Sequence, residues 1–131
     1  MRILILDDDL TRHRTFAQNL DGHDVTHAQT YDICLKALMT CEPFDIVYLD
    51  HDLNDFGALS IGPSTSMYRG LRELDGRDVA RFIAGQLPKN QHPKHIVVHS
   101  WNDDGGDEMM KILEPTGISL SRETFHPNIG R

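Results

Sequence analysis

The sequence predicts an α/β protein built on a doubly wound, five-stranded parallel sheet. Three short apolar runs point to that class, each ending abruptly in polar residues. Ile3-Leu4-Ile5-Leu6 stops at Asp7-Asp8-Asp9, Ile46-Val47-Tyr48-Leu49 at Asp50-His51-Asp52, and Ile96-Val97-Val98 at His99-Ser100-Trp101-Asn102. Runs of this kind read as buried strands. Segments of helical periodicity separate them, and strand–helix alternation gives a parallel sheet with helices on both faces. The carboxyl ends of parallel strands lie side by side, and ligands bind there. The three polar clusters are therefore expected to meet at one edge as an acidic pocket containing histidines.

The first strand, residues 2–7, feeds a helix from about Thr11 to Leu20 whose shared face carries His13, Phe16, Ala17 and Leu20; Asp21-Gly22 stops it. Residues 24–28 form the second strand. Thr30 caps the next helix and Asp32 complements its dipole, and the helix ends before Pro43. Cys34 and Cys41, with Ala37 and Leu38 between them on one face, read as two buried thiols, which suits a reducing compartment. Residues 45–50 are the central strand. Residues 54–75 break the pattern with turn composition, and Met67 to Leu74 reads as a brief helix within them. An insertion this long is a functional lid or is disordered, and its departure from the Asp50 cluster favours the lid. Gly76 to about Gln86 is helical, with Val79, Phe82, Ile83 and Leu87 inward. Pro93 precedes a strand at 95–100, and Asp107 to Glu114 is a helix with Met109, Met110 and Leu113 as core candidates. Residues 118–125 alternate Ile118, Leu120 and Arg122 with Ser119, Ser121 and Glu123, as an edge strand does.

At 131 residues the chain is one domain, spanning 1–131, and long enough for a substantial core. Hydrophobic residues at 39% and charged residues at 25% are ordinary for a globular protein. The net charge of −7 argues against general affinity for duplex nucleic acid, because no basic stripe offsets phosphate repulsion. A bound cation, or a small anion held by local arginines, is compatible with it. The sequence carries no signal-peptide pattern or long apolar span, so a cytoplasmic location without membrane partners is expected.

Asp7, Asp8 and Asp50 are the strongest site candidates. Two carboxylates about 4 Å apart repel by roughly 4 kcal/mol at an effective dielectric near 20, so three together must protonate one member or bind a cation. Oxygen ligands, with Asp52 as a further one, favour Mg²⁺ or Mn²⁺; recruitment of His51 or His99 would favour Mn²⁺ or Zn²⁺. The simpler alternative has Asp7-Asp8-Asp9 capping the following helix, a role that suits Asp9 best, while Arg12 neutralises the cluster. His51 is either a general acid/base fixed in one tautomer by a neighbouring carboxylate or a loop imidazole capping a backbone group. His99 and Ser100 are adjacent and should point to opposite faces. Ser100 is the better phosphate contact, and His99 is either a catalytic imidazole or a buried, hydrogen-bonded one. Asn102 contacts phosphate or a carboxylate, or caps the next helix. Arg69 and Arg72, at i and i+3, would clamp a phosphate from one helix face or sit in a solvated loop, with Tyr68 as a base-stacking candidate. Trp101 is either core or a stacking surface. His23, His27, His92 and His95 read as surface residues.

The layout resembles the response-regulator receiver fold over nearly the whole chain. Asp7-Asp8 match the acidic pair after the first strand, Asp50 the phosphoacceptor after the third, and Ser100 the hydroxyl residue of the fourth. His126-Pro127 stands where receivers carry Lys-Pro. The resemblance implies a divalent cation on the acidic residues, with Ser100 and His126 toward the phosphoryl oxygens. The chain departs from it in lacking the Lys and the last helix. A closer resemblance is to the cyclic-phosphate processing receiver proteins, small stand-alone proteins common in phages and bacteria. It is carried by Leu49-Asp50-His51-Asp52-Leu53, Gly76-Arg77-Asp78-Val79, and Val98-His99-Ser100-Trp101-Asn102 with the later Gly105-Gly106 and Met109-Met110, over roughly residues 2–113.

That resemblance implies a metal-dependent phosphoesterase acting on cyclic phosphates of nucleotides or RNA ends. Asp7, Asp8 and Asp50 would hold the ion. His51, with His99 or His126, would supply acid and base, and Ser100 and Asn102 would meet the non-bridging oxygens. Attack by Asp50 itself, giving an aspartyl-phosphate, is the alternative chemistry. The rival function is a non-catalytic receiver-like module binding a cyclic nucleotide or a protein partner, such as a phage-encoded antagonist of host defence in the host cytoplasm. A phosphorelay receiver fits poorly without the Lys and final helix. A sheet face left bare near residues 118–125 gives the expectation of a homodimer.

Overall fold

The computed structural model describes residues 1–53, 74–101 and 103–131. The expected lid therefore falls, but for Leu74 and Asp75, outside the described residues, as do Tyr68, Arg69, Arg72 and Asn102. Five strands, β1 (Arg2–Leu6), β2 (Asp24–Ala28), β3 (Ile46–Asp50), β4 (His95–His99) and β5 (Ser119–Arg122), form one sheet in the order β2-β1-β3-β4-β5. Every pairing is parallel. Four helices connect them: α1 (Leu10–Asn19), α2 (Tyr31–Thr40), α3 (Gly76–Gly85) and α4 (Asp103–Leu113). Strand order reverses between β1 and β3, and a sheet of this type opens its ligand crevice at that reversal.

Strand alternation divides the core in two. Leu4, Leu6, Val47, Leu49, Ile96 and Val98 pack with Cys34 and Leu38 of α2, Val79 and Ile83 of α3, and Met109 and Leu113 of α4. On the other face Ile3, Ile5, Tyr48 and Val97 meet Phe16 of α1, Leu20 just after it, and Ile129. Each run thus buries both of its faces, the property that made it legible as a strand.

Caps set the helix starts. Asp9 accepts hydrogen bonds from the Thr11 and Arg12 amides and begins α1, and Thr30 accepts from the Ile33 amide and begins α2. Asp75 and Asp78 form a reciprocal capping box at the start of α3. After α1 the chain reverses at Gly22, whose φ of 90° suits glycine.

Three expectations are corrected. Ala17 is exposed rather than inward, because α1 turns only His13 and Phe16 fully toward the sheet. Cys41 is the half-buried C-cap of α2, so only Cys34 is a fully buried thiol, and burial pushes that thiol up to about 12. Helix α4 starts at Asp103, not Asp107. Gly105-Gly106 reads as a turn by propensity, yet close packing demands those glycines within the helix. A Cβ on Gly105 would lie 2.3 Å from the His51 ring, and one on Gly106 would lie 2.4 Å from the Arg122 guanidinium.

Beyond β5 the chain leaves the sheet and turns over residues 127–130, returning Ile129 to the α1-side core. The Asn19 amide donates to the Pro127 and Ile129 carbonyls and fixes this return. At the start of β4 and along β5, His95 links the Ser119 and Ser121 hydroxyls at 2.8 and 2.9 Å. These polar side chains line one face of the β4–β5 edge. Among the described residues no helix is long and apolar enough to cross a membrane.

Gly76 opens α3 directly against the end of β3, where a Cβ would fall 2.2 Å from the Asp50 carbonyl oxygen. Gly76→Ala is expected to destabilise the fold by about 2–4 kcal/mol, as overpacking against backbone does. Gly85→Ala, in the same helix with nothing within 4 Å, is expected to gain about 0.5–1 kcal/mol. Urea midpoints of the two variants check the pair.

Candidate functional site

Alternation along the strands selects the residues that meet. Asp7 continues the side of Ile3 and Ile5, Asp50 that of Tyr48, and His99 that of Val97, so all three emerge on the α1 side of the sheet edge. Asp7 is fully buried, Asp50 nearly so, and Asp8 exposed; each offers a carboxylate oxygen, and these lie within 4.8 Å of one another.

One cation of the chain itself sits among them. Asp9 caps α1, and one turn later Arg12 falls back over the strand ends. Its Nη2 lies 2.9 Å from Asp7 Oδ1, 3.3 Å from Asp8 Oδ1 and 3.5 Å from Asp50 Oδ2. Its Nε donates to Asp7 Oδ1 at 3.0 Å, and the guanidinium lies over the Phe125 ring. The Asp9 amide also donates to Asp7 Oδ1. The other oxygen, Asp7 Oδ2, is buried without a hydrogen-bond partner among the described residues. Burial, and then the Asp7 charge, push Asp50 up to about 8 against the pull of Arg12. Burial raises Asp7 too, opposed by the Asp9 amide and Arg12. Three hard oxygens with an unsatisfied one among them suit a divalent cation of the magnesium or manganese type.

The imidazoles part company. His99 is buried between Phe16 and Tyr48, with Nδ1 3.8 Å from Asp7 Oδ2. Burial, reinforced by the Arg12 charge, lowers its pKa to about 3. It is therefore neutral at ordinary pH. His126 is bound within its own loop: Nε2 donates to Glu123 Oε1 at 2.6 Å and Nδ1 accepts from the Asn128 amide. Both ring nitrogens are engaged there. The cation beside the carboxylates is Arg12, from α1.

His51 turns toward α4. Its Nδ1 donates to Asp52 Oδ1 at 2.8 Å, the carboxylate-fixed tautomer expected of an acid/base group. Asp52 therefore serves His51 and lies outside the acidic triplet. His51 Nε2 is 3.7 Å from Asp75 Oδ2. Ser100 is buried at the end of β4.

Several contributors escaped the sequence reading. Asp75 is held by the Arg77 guanidinium at 2.8 Å, and Arg77 reaches Glu108 of α4 at 2.9 Å. Burial works against ionisation of Asp75, but the Arg77 hydrogen bonds prevail and keep its carboxyl below the usual range. The spacing of Asp75 and Asp78 was the available signal for the cap. Nothing local marked Gly105 as the seat of the His51 ring or Phe125 as the platform under Arg12.

Comparison with known proteins gives a family match. The model described as cyclic-phosphate processing Receiver domain matches residues 2–115. No curated protein matches the chain. Among solved structures, a response regulator from Burkholderia pseudomallei with a phosphorylated aspartic acid, calcium ion and citrate is 17% identical, with a TM-score of 0.61 over 96% of this chain and 61% of that one. The BeF3-activated receiver domain of RstA from Klebsiella pneumoniae is 20% identical, with a TM-score of 0.61 over 98% and 91%. The Mn²⁺-bound response regulator Rcp1 is 15% identical, with a TM-score of 0.56 over 98% and 83%. The chain spans only 24% of NtrX from Brucella abortus. These likenesses establish the receiver fold.

Folding raises the Asp50 pKa, so the folded state holds a proton that the unfolded chain has lost. Without divalent cation, stability should fall as pH rises from the ordinary carboxylate range toward about 8. Asp50→Asn removes this loss and is expected to be about 1–3 kcal/mol more stable than the parent at pH 8 in EDTA. Thermal unfolding between pH 5 and 8 checks this.

Proposed function

This chain belongs to the cyclic-phosphate processing receiver domain family, and on that footing we propose that it is a divalent-cation-dependent phosphoesterase opening cyclic phosphates of nucleotides or RNA ends. The observation that carries the reading is the triplet of Asp7, Asp8 and Asp50, whose oxygens lie within 4.8 Å of one another. Asp7, Asp8 and Asp50 would hold Mg²⁺ or Mn²⁺. A bound ion of this class neutralises phosphate charge and makes water a better nucleophile. The manganese bound by Rcp1 supports the assignment of the metal.

The remaining steps belong to the chain. With the carboxylates holding a divalent ion, the Arg12 guanidinium beside them would be available to the non-bridging phosphate oxygens, where a guanidinium binds well. Ser100 at the end of β4 donates to the same oxygens, and Asn102, Arg69 and Arg72 remain substrate-binding candidates. Asp52 fixes the Nδ1 proton of His51, and Nε2, which faces Asp75 and Gly105, would turn toward the triplet to take the proton of the attacking water. The oxygen–phosphorus bond of the ring breaks, and His51 returns that proton to the departing oxygen, giving a phosphomonoester. One imidazole acting in turn supplies both proton transfers, with His99 packed between Phe16 and Tyr48 and His126 bonded to Glu123. Attack by Asp50 in place of water is the variant route, supported by the phosphorylated aspartate of the Burkholderia regulator.

A non-catalytic module that binds the cyclic phosphate is the second reading, favoured by that reduction to a single proton-carrying imidazole. Incubation with nucleoside 2′,3′-cyclic phosphates and Mg²⁺ or Mn²⁺ separates the two. Turnover is expected, with His51→Ala slowing it by about 10²–10⁴-fold. Binding without product at high protein concentration would leave the module and remove the enzyme. Arg12→Gln is expected to bind Mn²⁺ several-fold more tightly, having lost the competing cation, and cyclic phosphate at least tenfold more weakly. Calorimetry with each ligand reads both shifts.

A further inference from the structure

The single tryptophan of the chain, Trp101, is 69% exposed, and a buried reaction site does not account for it. Its position is fixed by register. Asp50 pairs with His99 across β3 and β4, and Trp101 follows His99 by two residues, at most about 7 Å of chain. The backbone of Trp101 therefore stands beside the acidic site, directly after the buried Ser100. An exposed indole offers a flat aromatic face on which another ring can stack.

The size of the surface selects its occupant. Among the described residues the other strongly exposed large apolar side chains are Met1, Leu10, Ile33 and Met39. Only Leu10, opening α1 after the acidic turn, also borders this site. Among the described residues one indole and one leucine cover a few hundred Å² at most, whereas a specific protein partner needs roughly 800 Å² per side. A single nucleobase matches one indole, and a base is uncharged, so the acidic character of the chain does not oppose it.

We infer that Trp101 is a stacking platform for the nucleobase attached to the cyclic phosphate, so that the substrate class is nucleoside cyclic phosphates and not base-free cyclic phosphodiesters. This deepens the function proposed above and rests on it. Stacking accepts every base face, so little discrimination among the four bases is expected.

Because Trp101 is the sole tryptophan, its fluorescence reports the contact directly. Titration with the four nucleoside 2′,3′-cyclic phosphates in Mg²⁺ should quench it saturably, while methyl riboside 2,3-cyclic phosphate binds, by calorimetry, roughly tenfold or more weakly. Trp101→Ala should bring nucleoside ligands down to that base-free affinity. Its Mg²⁺ affinity and melting temperature should be unchanged, since the side chain is outside the core, and Trp101→Phe should restore most of the loss. Equal affinity for ligands with and without a base, or Trp101→Ala binding nucleosides as well as the parent, would overturn the platform and leave the phosphoesterase standing. Binding of neither ligand class would overturn both. A dimer that Trp101→Ala dissolves, without change in ligand affinity, would reassign the surface to self-association and also overturn the proposal.

Discussion

The contact of Arg12 with three carboxylates is the constraint to which the rest of the structure answers. At about 4 Å and an effective dielectric near 20, each carboxylate pair costs roughly 4 kcal/mol, and burial of Asp7 and Asp50 adds to that. One guanidinium reaching all three offsets part of the cost, and protonation of Asp50 offsets more. The contact also dictates geometry. Arg12 can return over the strand ends only if α1 starts at Asp9, so the cap and the charge pair are one device. The same helix then lays His13 and Phe16 on the sheet.

Most of the fold was legible because its signals are local or periodic. Short apolar runs gave the three central strands their places and alternation gave the edge strand β5, and Thr30 and Asp9 announced their helices by side-chain chemistry. The misses share a cause, since each depends on a neighbour distant in sequence. Gly105 and Gly106 argue against a helix until the His51 ring and the Arg122 guanidinium occupy the space their missing side chains leave. Ala17 fits the face of α1 by period, but only His13 and Phe16 of that helix are buried. The burial of His99 between two aromatic rings, which removes its proton at ordinary pH, follows from packing and cannot be read from a motif.

His51 shows how such distant contacts can build chemistry. It follows the end of β3, yet its surroundings come from three other places: Asp52 beside it, Asp75 at the start of α3, and Gly105 within α4. Arg77 and Glu108 join α3 to α4 and so fix the walls on either side of the ring. This network is polar and only partly exposed, a placement in which charge-assisted hydrogen bonds hold geometry better than on an open surface.

The chain beyond β5 completes the argument about charge. Ile129 fills the α1-side core and Asn19 secures the returning backbone, while Glu123 holds the His126 ring. The positive charge that receivers bring to their phosphate from the end of the fifth strand is thus withheld there. In its place Phe125 supports the Arg12 guanidinium from below. A lysine arriving from β5 would stand apart from the carboxylates and leave their oxygens to a metal ion. An arginine arriving from α1 already occupies those oxygens. A divalent ion held by the cluster would compete with the guanidinium for Asp7 Oδ1, Asp8 Oδ1 and Asp50 Oδ2.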